Sequence, residues 1–123
     1  KIFPNLPTVK LDASAVSRDP LEVKKYNEDP LNYRGGTKAK FGDEFLKAMN
    51  QARTELDMIK LPFAVHHGTD DRLIDPESAD WIYQGISSQD KTLRMWDGLY
   101  HELLNEPEKD QVANELIAWM MKH

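Results

Sequence analysis

The second half of the chain alternates between two strand-like and two helix-like segments. Residues 60–67 (KLPFAVHH) are short and mostly apolar and stop at Gly68, while residues 92–96 (TLRMW) alternate in polarity. Residues 76–87 carry apolar side chains at helical spacing, and residues 106–107 begin a further amphipathic helix. This order of strand, helix, strand and helix predicts a right-handed βαβ unit with parallel strands.

A pair of parallel strands is too little for an independent sheet. Parallel sheets are normally buried on both faces by several crossovers, and exposed strand edges invite unwanted pairing. The pattern therefore predicts that these 123 residues belong to a larger α/β domain.

Residues 1–36 are predicted to form short helices joined by irregular links. This segment is rich in proline and glycine, and Asp19-Pro20 is a typical helix entry. From Gly42 to Leu56, apolar residues recur every three or four positions, which predicts an amphipathic helix entered at Gly42-Asp43.

Composition excludes several classes of partner and compartment. A net charge of −5 argues against nucleic acid, because no basic excess is present to neutralise phosphates. No apolar run reaches the roughly 18–20 residues of a membrane span. The absence of cysteine excludes disulfides and thiolate metal sites and favours the cytoplasm.

Carboxylates and a histidine follow the two predicted strands. Asp70, Asp71 and Asp75 come after the first strand, and His101 comes after the second. Loops at the carboxyl ends of neighbouring parallel strands meet at one edge. An acid that orients a histidine, which then acts as general base, supplies two members of a nucleophilic triad. From chemistry alone, two solvated surface groups remain the alternative.

A metal site in the same stretch is a further alternative, raised by His66 and His67 beside Asp70 and Asp71. Adjacent strand residues point to opposite faces, so the two histidines are poorly placed to bind one ion. We expect no metal and assign the histidines a structural or supporting role.

The third member of a triad is absent from the sequence. In α/β-hydrolases the chain order is Ser, then Asp or Glu, then His, with the serine in a G-x-S-x-G turn. No serine of this chain lies in such a turn; the serines are Ser14, Ser17, Ser78, Ser87 and Ser88. A nucleophile, if there is one, is expected outside these residues.

Three stretches carry a family resemblance: LPFAVHHGTDDRL, SSQDKTLRMWDGLYHELLNE and YNEDPLNYRGG. They resemble the monoacylglycerol lipase and lysophospholipase branch of the α/β-hydrolases. The resemblance implies the C-terminal part of that fold, with a helical cap at residues 1–56 and core strands and helices at 57–123. It also implies that Asp71 is the catalytic acid and His101 the catalytic base, with no cofactor.

The resemblance further implies a substrate and a missing partner. The substrate would be a monoacylglycerol or another lipid or small ester. The N-terminal half of the fold, with the serine and the oxyanion hole, would lie elsewhere in the same polypeptide or in a separate chain. The residues implied to bind substrate are Leu73 and Ile74 beside the acid, Tyr26 near the alcohol end, and Leu31, Phe45 and Leu46 along the acyl chain.

Two questions stay open at the level of sequence. Without a serine, the chain could be a non-catalytic, hydrolase-like fragment or a binding module. The apolar residues near the start could touch a membrane peripherally through the cap or pack inward; they are Ile2, Phe3, Leu6, Val9 and Leu11.

Overall fold

The structure, a computed structural model, describes Asn5 and residues 7–123. Its helices and strands are α1 (Pro20–Glu28), α2 (Ala39–Glu55), β1 (Phe63–Gly68), α3 (Glu77–Gly85), β2 (Lys91–Trp96) and α4 (Lys109–Met120). Short 3₁₀ helices lie at Ala13–Ala15, Leu56–Met58 and Leu103–Asn105. Within the described residues, no helix is both long and apolar enough to cross a bilayer.

The predicted parallel strand pair is confirmed. β1 and β2 pair in parallel, from Phe63 opposite Lys91 to Gly68 opposite Trp96, and α3 connects them and packs on both. The two strands end in register, so the loops that follow them leave the sheet side by side. This register creates the edge at which the candidate site lies.

The main buried cluster lies behind that edge. Trp96, Leu99 and Val112 form it, and Leu103 and Leu116 pack against it. The cluster joins the end of β2 and the following loop to α4, as the apolar stripe of that helix predicts. It thereby supports the loop that carries His101.

Two helix starts differ from their predicted positions. α2 begins at Ala39 rather than at Gly42, and the Gly42 N–H already donates to the carbonyl of Lys38 at 3.0 Å. α4 begins at Lys109 rather than at the predicted Glu106, because Glu106 has extended backbone (φ −77°, ψ 161°) and a buried side chain. Its carboxylate forms an ion pair with Arg18 and so does not act as a free charge at the helix start.

The segment 13–18 ties the first part of the chain to the second. The carbonyl of Val16 accepts the Glu102 N–H at 2.8 Å, and Ser17 Oγ donates to the carbonyl of Asn105 at 2.8 Å. Arg18 forms an ion pair with the fully buried carboxylate of Glu106. The division into a cap at 1–56 and a core at 57–123 stays a prediction, and this segment contacts the second half directly.

The apolar stripe of α2 faces outward in the described part of the chain. None of its residues is buried, and the rings of Phe41 and Phe45 stack 6.1 Å apart on the surface. Val9 and Leu11 are also exposed, whereas Ile2, Phe3 and Leu6 lie outside the described residues. Membrane contact through the cap therefore stays a prediction.

Candidate active site

The loops after β1 and β2 touch because Gly68 has no side chain. A Cβ at Gly68 would lie 2.2 Å from the carbonyl oxygen of Leu99, closer than atoms can approach. The Asp70 N–H donates to that same oxygen at 3.1 Å. Gly98 turns the second loop with φ of +72°, a conformation that glycine adopts easily, and its N–H donates to Thr69 Oγ1 at 2.7 Å.

Asp71 lies at the junction of these loops with its carboxylate almost completely buried. Its side chain is 2% exposed. Oδ1 accepts the backbone N–H groups of Leu73 at 2.8 Å and Ile74 at 3.0 Å. Oδ2 lies 2.8 Å from Nδ1 of His101. The side chains predicted as acid and base are thus in hydrogen-bond contact across the two loops.

Opposing effects act on the pKa of Asp71. Burial alone would raise it, because a charged carboxylate is poorly solvated there. The hydrogen bond from His101 and those from the Ile74 and Leu73 N–H groups lower it, and they prevail. Asp71 is therefore an anion at neutral pH.

The hydrogen bond to Asp71 also defines the state of the His101 ring. A carboxylate can only accept, so Nδ1 of His101 carries the proton, and Nε2 of the neutral ring keeps its lone pair. The side chain is 39% exposed, which leaves the ring accessible. A histidine in this tautomer can take a proton from a nucleophile brought to Nε2.

His67 is a third side chain on the same carboxylate. Its Nε2 lies 3.2 Å from Asp71 Oδ2 and 3.3 Å from the carbonyl oxygen of Ile74. The side chain of His66 lies on the opposite face of β1, where its Nδ1 accepts the indole N–H of Trp96 at 3.1 Å. The alternation of strand residues separated the two histidines, but it did not reveal that His67 reaches Asp71.

No group of three or more potential metal ligands in the described part of the chain is arranged to hold an ion. The guanidinium of Arg72 donates to the carbonyl of Ser14 at 2.7 Å. It also lies 4.4 Å from the ring centroid of Tyr100. Directly before α3, the carboxylate of Asp75 accepts the Glu77 N–H at 3.0 Å.

The predicted substrate-binding residues are spread over the molecule. Leu73 is half-buried and Ile74 is 37% exposed, both next to the acid. Tyr26 lines a surface cleft that also includes Glu102 and Asn105, directly after His101.

The remaining three predicted substrate-binding residues are more exposed, and none of them lines the described cleft that includes His101. Leu31 is 91%, Phe45 50% and Leu46 64% exposed. The cleft that includes His101 is lined otherwise by residues 102–105, Val112 and Leu116. The substrate-binding roles of Leu31, Phe45 and Leu46 stay predictions.

Family comparison agrees with this geometry. Residues 1–108 match the family Hydrolase_4, described as "Serine aminopeptidase, S33", and the chain belongs to that family of hydrolases. It is 38% identical to the monoglyceride lipase of Mus musculus over 121 residues, which is 97% of this chain and 40% of the relative. It is 33% identical to the monoacylglycerol lipase of Mycolicibacterium smegmatis over 123 residues, 100% of this chain and 44% of the relative.

A solved structure shows the same likeness. The monoacylglycerol lipase of Paleococcus ferrophilus superposes with a TM-score of 0.89 at 30% identity, covering 100% of this chain and 48% of the other. The predicted resemblance to the monoacylglycerol lipase branch and the predicted α/β-hydrolase fold are therefore confirmed. The chain spans about 40% of the length of the curated relatives named here.

Proposed function

We propose that these residues supply the acid and the base of a serine ester hydrolase that cleaves monoacylglycerols or similar lipid and small esters. The observation that carries the proposal is the 2.8 Å contact between Oδ2 of the buried Asp71 and Nδ1 of His101. Asp71 is the acid and His101 the base. The serine lies outside these residues, in the same polypeptide or in a separate chain.

In this mechanism each side chain has a role that its contacts support. His101 Nε2 removes the proton of the serine hydroxyl as the oxygen attacks the ester carbonyl, and then protonates the leaving alcohol. Asp71 holds the ring in the Nδ1–H tautomer and stabilises the imidazolium that forms. A water molecule activated by His101 then hydrolyses the acyl-enzyme.

The substrate class rests on the likeness to proteins named monoglyceride and monoacylglycerol lipases. Tyr26, Leu73 and Ile74 lie near the loops that carry Asp71 and His101. The proposed cap also has exposed apolar side chains that suit an acyl chain: Leu31, Phe45 and Leu46. Their burial against an acyl chain would contribute binding energy in proportion to the apolar area removed from water.

The proposal is tested in the complete polypeptide that carries these residues. Intact mass spectrometry after treatment with a fluorophosphonate should show one phosphonate adduct, because only an activated serine reacts readily. His101→Ala should remove nearly all hydrolysis of a monoacylglycerol. Near-normal turnover in that variant would contradict the assignment of His101 as the catalytic base. A preparation with no labelled species would instead favour the binding module that the missing serine leaves open.

A further inference from the structure

The carboxylate of Asp71 has more partners than an acid–histidine pair requires. Oδ1 accepts two backbone N–H groups, and Oδ2 faces two imidazole rings, those of His101 at 2.8 Å and His67 at 3.2 Å. The side chain of His67 is only 15% exposed, so solvent competes little for this contact.

The surroundings of His67 define which of its nitrogens carries a proton. Nε2 lies within 3.3 Å of two oxygen atoms, Oδ2 of Asp71 and the carbonyl of Ile74, and both can only accept. Nε2 must therefore be protonated, and it donates to one or both oxygens. The donor is held in place by β1, in which His67 pairs with Met95 of β2.

We propose that His67 is a positioning residue for the catalytic acid. Its Nε2–H restrains the carboxylate of Asp71 so that Oδ2 stays aligned with Nδ1 of His101. This inference rests on the proposed function, because it assigns His67 a part in the same site.

The geometry gives His67 a second point of restraint. The Ile74 carbonyl belongs to the same turn whose N–H groups bind Oδ1 of Asp71. His67 thus joins both ends of the turn to the rigid strand β1. Without it, the carboxylate keeps its backbone donors but loses one restraint on the oxygen that faces His101.

The test replaces His67 in the complete polypeptide by two amides that differ in reach. The amide nitrogen of Gln can come close to the position of Nε2, whereas that of Asn stops about one bond short. His67→Asn should lower kcat by about tenfold, the size of one lost hydrogen bond to a charged group, with KM changed by less than about twofold. His67→Gln should recover most of the loss. His66→Asn, whose side-chain oxygen can replace Nδ1 as the acceptor for Trp96, is the matched control and should retain wild-type kcat.

A double-mutant cycle with Asp71→Asn separates positioning from a general effect on folding. Once the carboxylate is gone, His67→Asn should cause less than about a twofold further loss, because the two residues act as one unit. Equal kcat in both His67 variants, or a full further loss in the Asp71→Asn background, would overturn the proposal. His101→Ala is run in parallel. If it stays active, the proposed function fails; if it is dead while both His67 variants match the wild type, only this inference fails.

Discussion

The edge between the two strands and the outer face of α2 contrast sharply. At the edge, both oxygens of Asp71 are bonded, and its partners come from the two loops and from β1. On α2, Phe45, Leu46 and Met49 form an apolar stripe that nothing in the described part of the chain covers. In the proposed function, the polar edge supplies the acid and the base, and the apolar face contacts an acyl chain.

The largest expected effect tests whether the edge is catalytic. In the complete polypeptide, Asp71→Asn should lower kcat for a monoacylglycerol by about 10³- to 10⁴-fold, because the amide favours the wrong tautomer of His101. Steady-state kinetics measure the loss.

The control for that variant is its neighbour. Asp70 is exposed, and among residues 7–123 its carboxylate makes only a marginal 3.5 Å contact with Thr69 Oγ1. Asp70→Asn should therefore keep kcat close to the wild-type value. Comparable losses in both variants would show that the turn, and not the Asp71 carboxylate, matters.

The next effect tests the strap, which is the set of contacts that Val16, Ser17 and Arg18 make with residues 102–106 after His101. The Glu106 carboxylate is fully buried, and besides the guanidinium of Arg18 it binds the backbone N–H of Arg18, which donates to it at 2.7 Å. Glu106→Ala should lower the free energy of unfolding by about 2–3 kcal/mol, less than for a wholly buried pair because Arg18 is one-third exposed. Urea denaturation measures the change.

Glu108→Ala is the matched control for the strap. It removes the other carboxylate that contacts Arg18, but this one is 40% exposed. Exposed ion pairs contribute little, so the loss should stay below about 1 kcal/mol. Equal losses in the two variants would mean that burial of Glu106 adds nothing.

The strap also shows what the sequence could not predict. Local periodicity predicted both strands, α3 and α4, because their apolar residues recur at the spacing of each structure. The pairing of Arg18 with Glu106 joins residues 88 positions apart, and no local pattern encodes it. The start of α4 was misplaced for that reason: a carboxylate that suits a helix start is bound to Arg18 instead.

The candidate site was predictable in part for a similar reason. Asp71 and His101 follow adjacent strands, so topology alone indicated that they could approach each other. The contact of His67 depends on a distance of 3.2 Å that strand alternation does not determine. On α2, the spacing predicted an apolar stripe, but spacing does not reveal whether a stripe is covered.

Two glycines sharpen the comparison between the edge and α2. Gly68→Ala should destabilise the protein by about 1–3 kcal/mol, because the new Cβ would overlap the backbone of Leu99 and push the loops apart. Gly42→Ala should stabilise it by about 0.5–1 kcal/mol, since no described atom beyond the adjoining turns of the helix lies within 4 Å of the new Cβ and alanine favours helix. Urea denaturation of the complete polypeptide gives both values. Destabilisation by Gly42→Ala would show that α2 is covered tightly at that point.

The smallest expected effect is a change with pH in how much Asp71 contributes to the free energy of unfolding. Hydrogen bonds lower the pKa of Asp71 in the folded protein, so the unfolded state binds more protons at acid pH. The resulting stabilisation is present above the unfolded pKa, about 3.9, and is lost as pH falls through the folded value. We expect the difference in unfolding free energy between wild type and Asp71→Asn to shrink as pH falls below about 4. Urea denaturation from pH 7 to pH 3 measures it, and the subtraction cancels the other carboxylates. A difference that stays constant over this range would mean that the contacts of Asp71 stabilise its protonated and ionised forms equally. The charge of Asp71 would then contribute nothing to the stability of the edge, and the contrast with α2 would rest on packing alone.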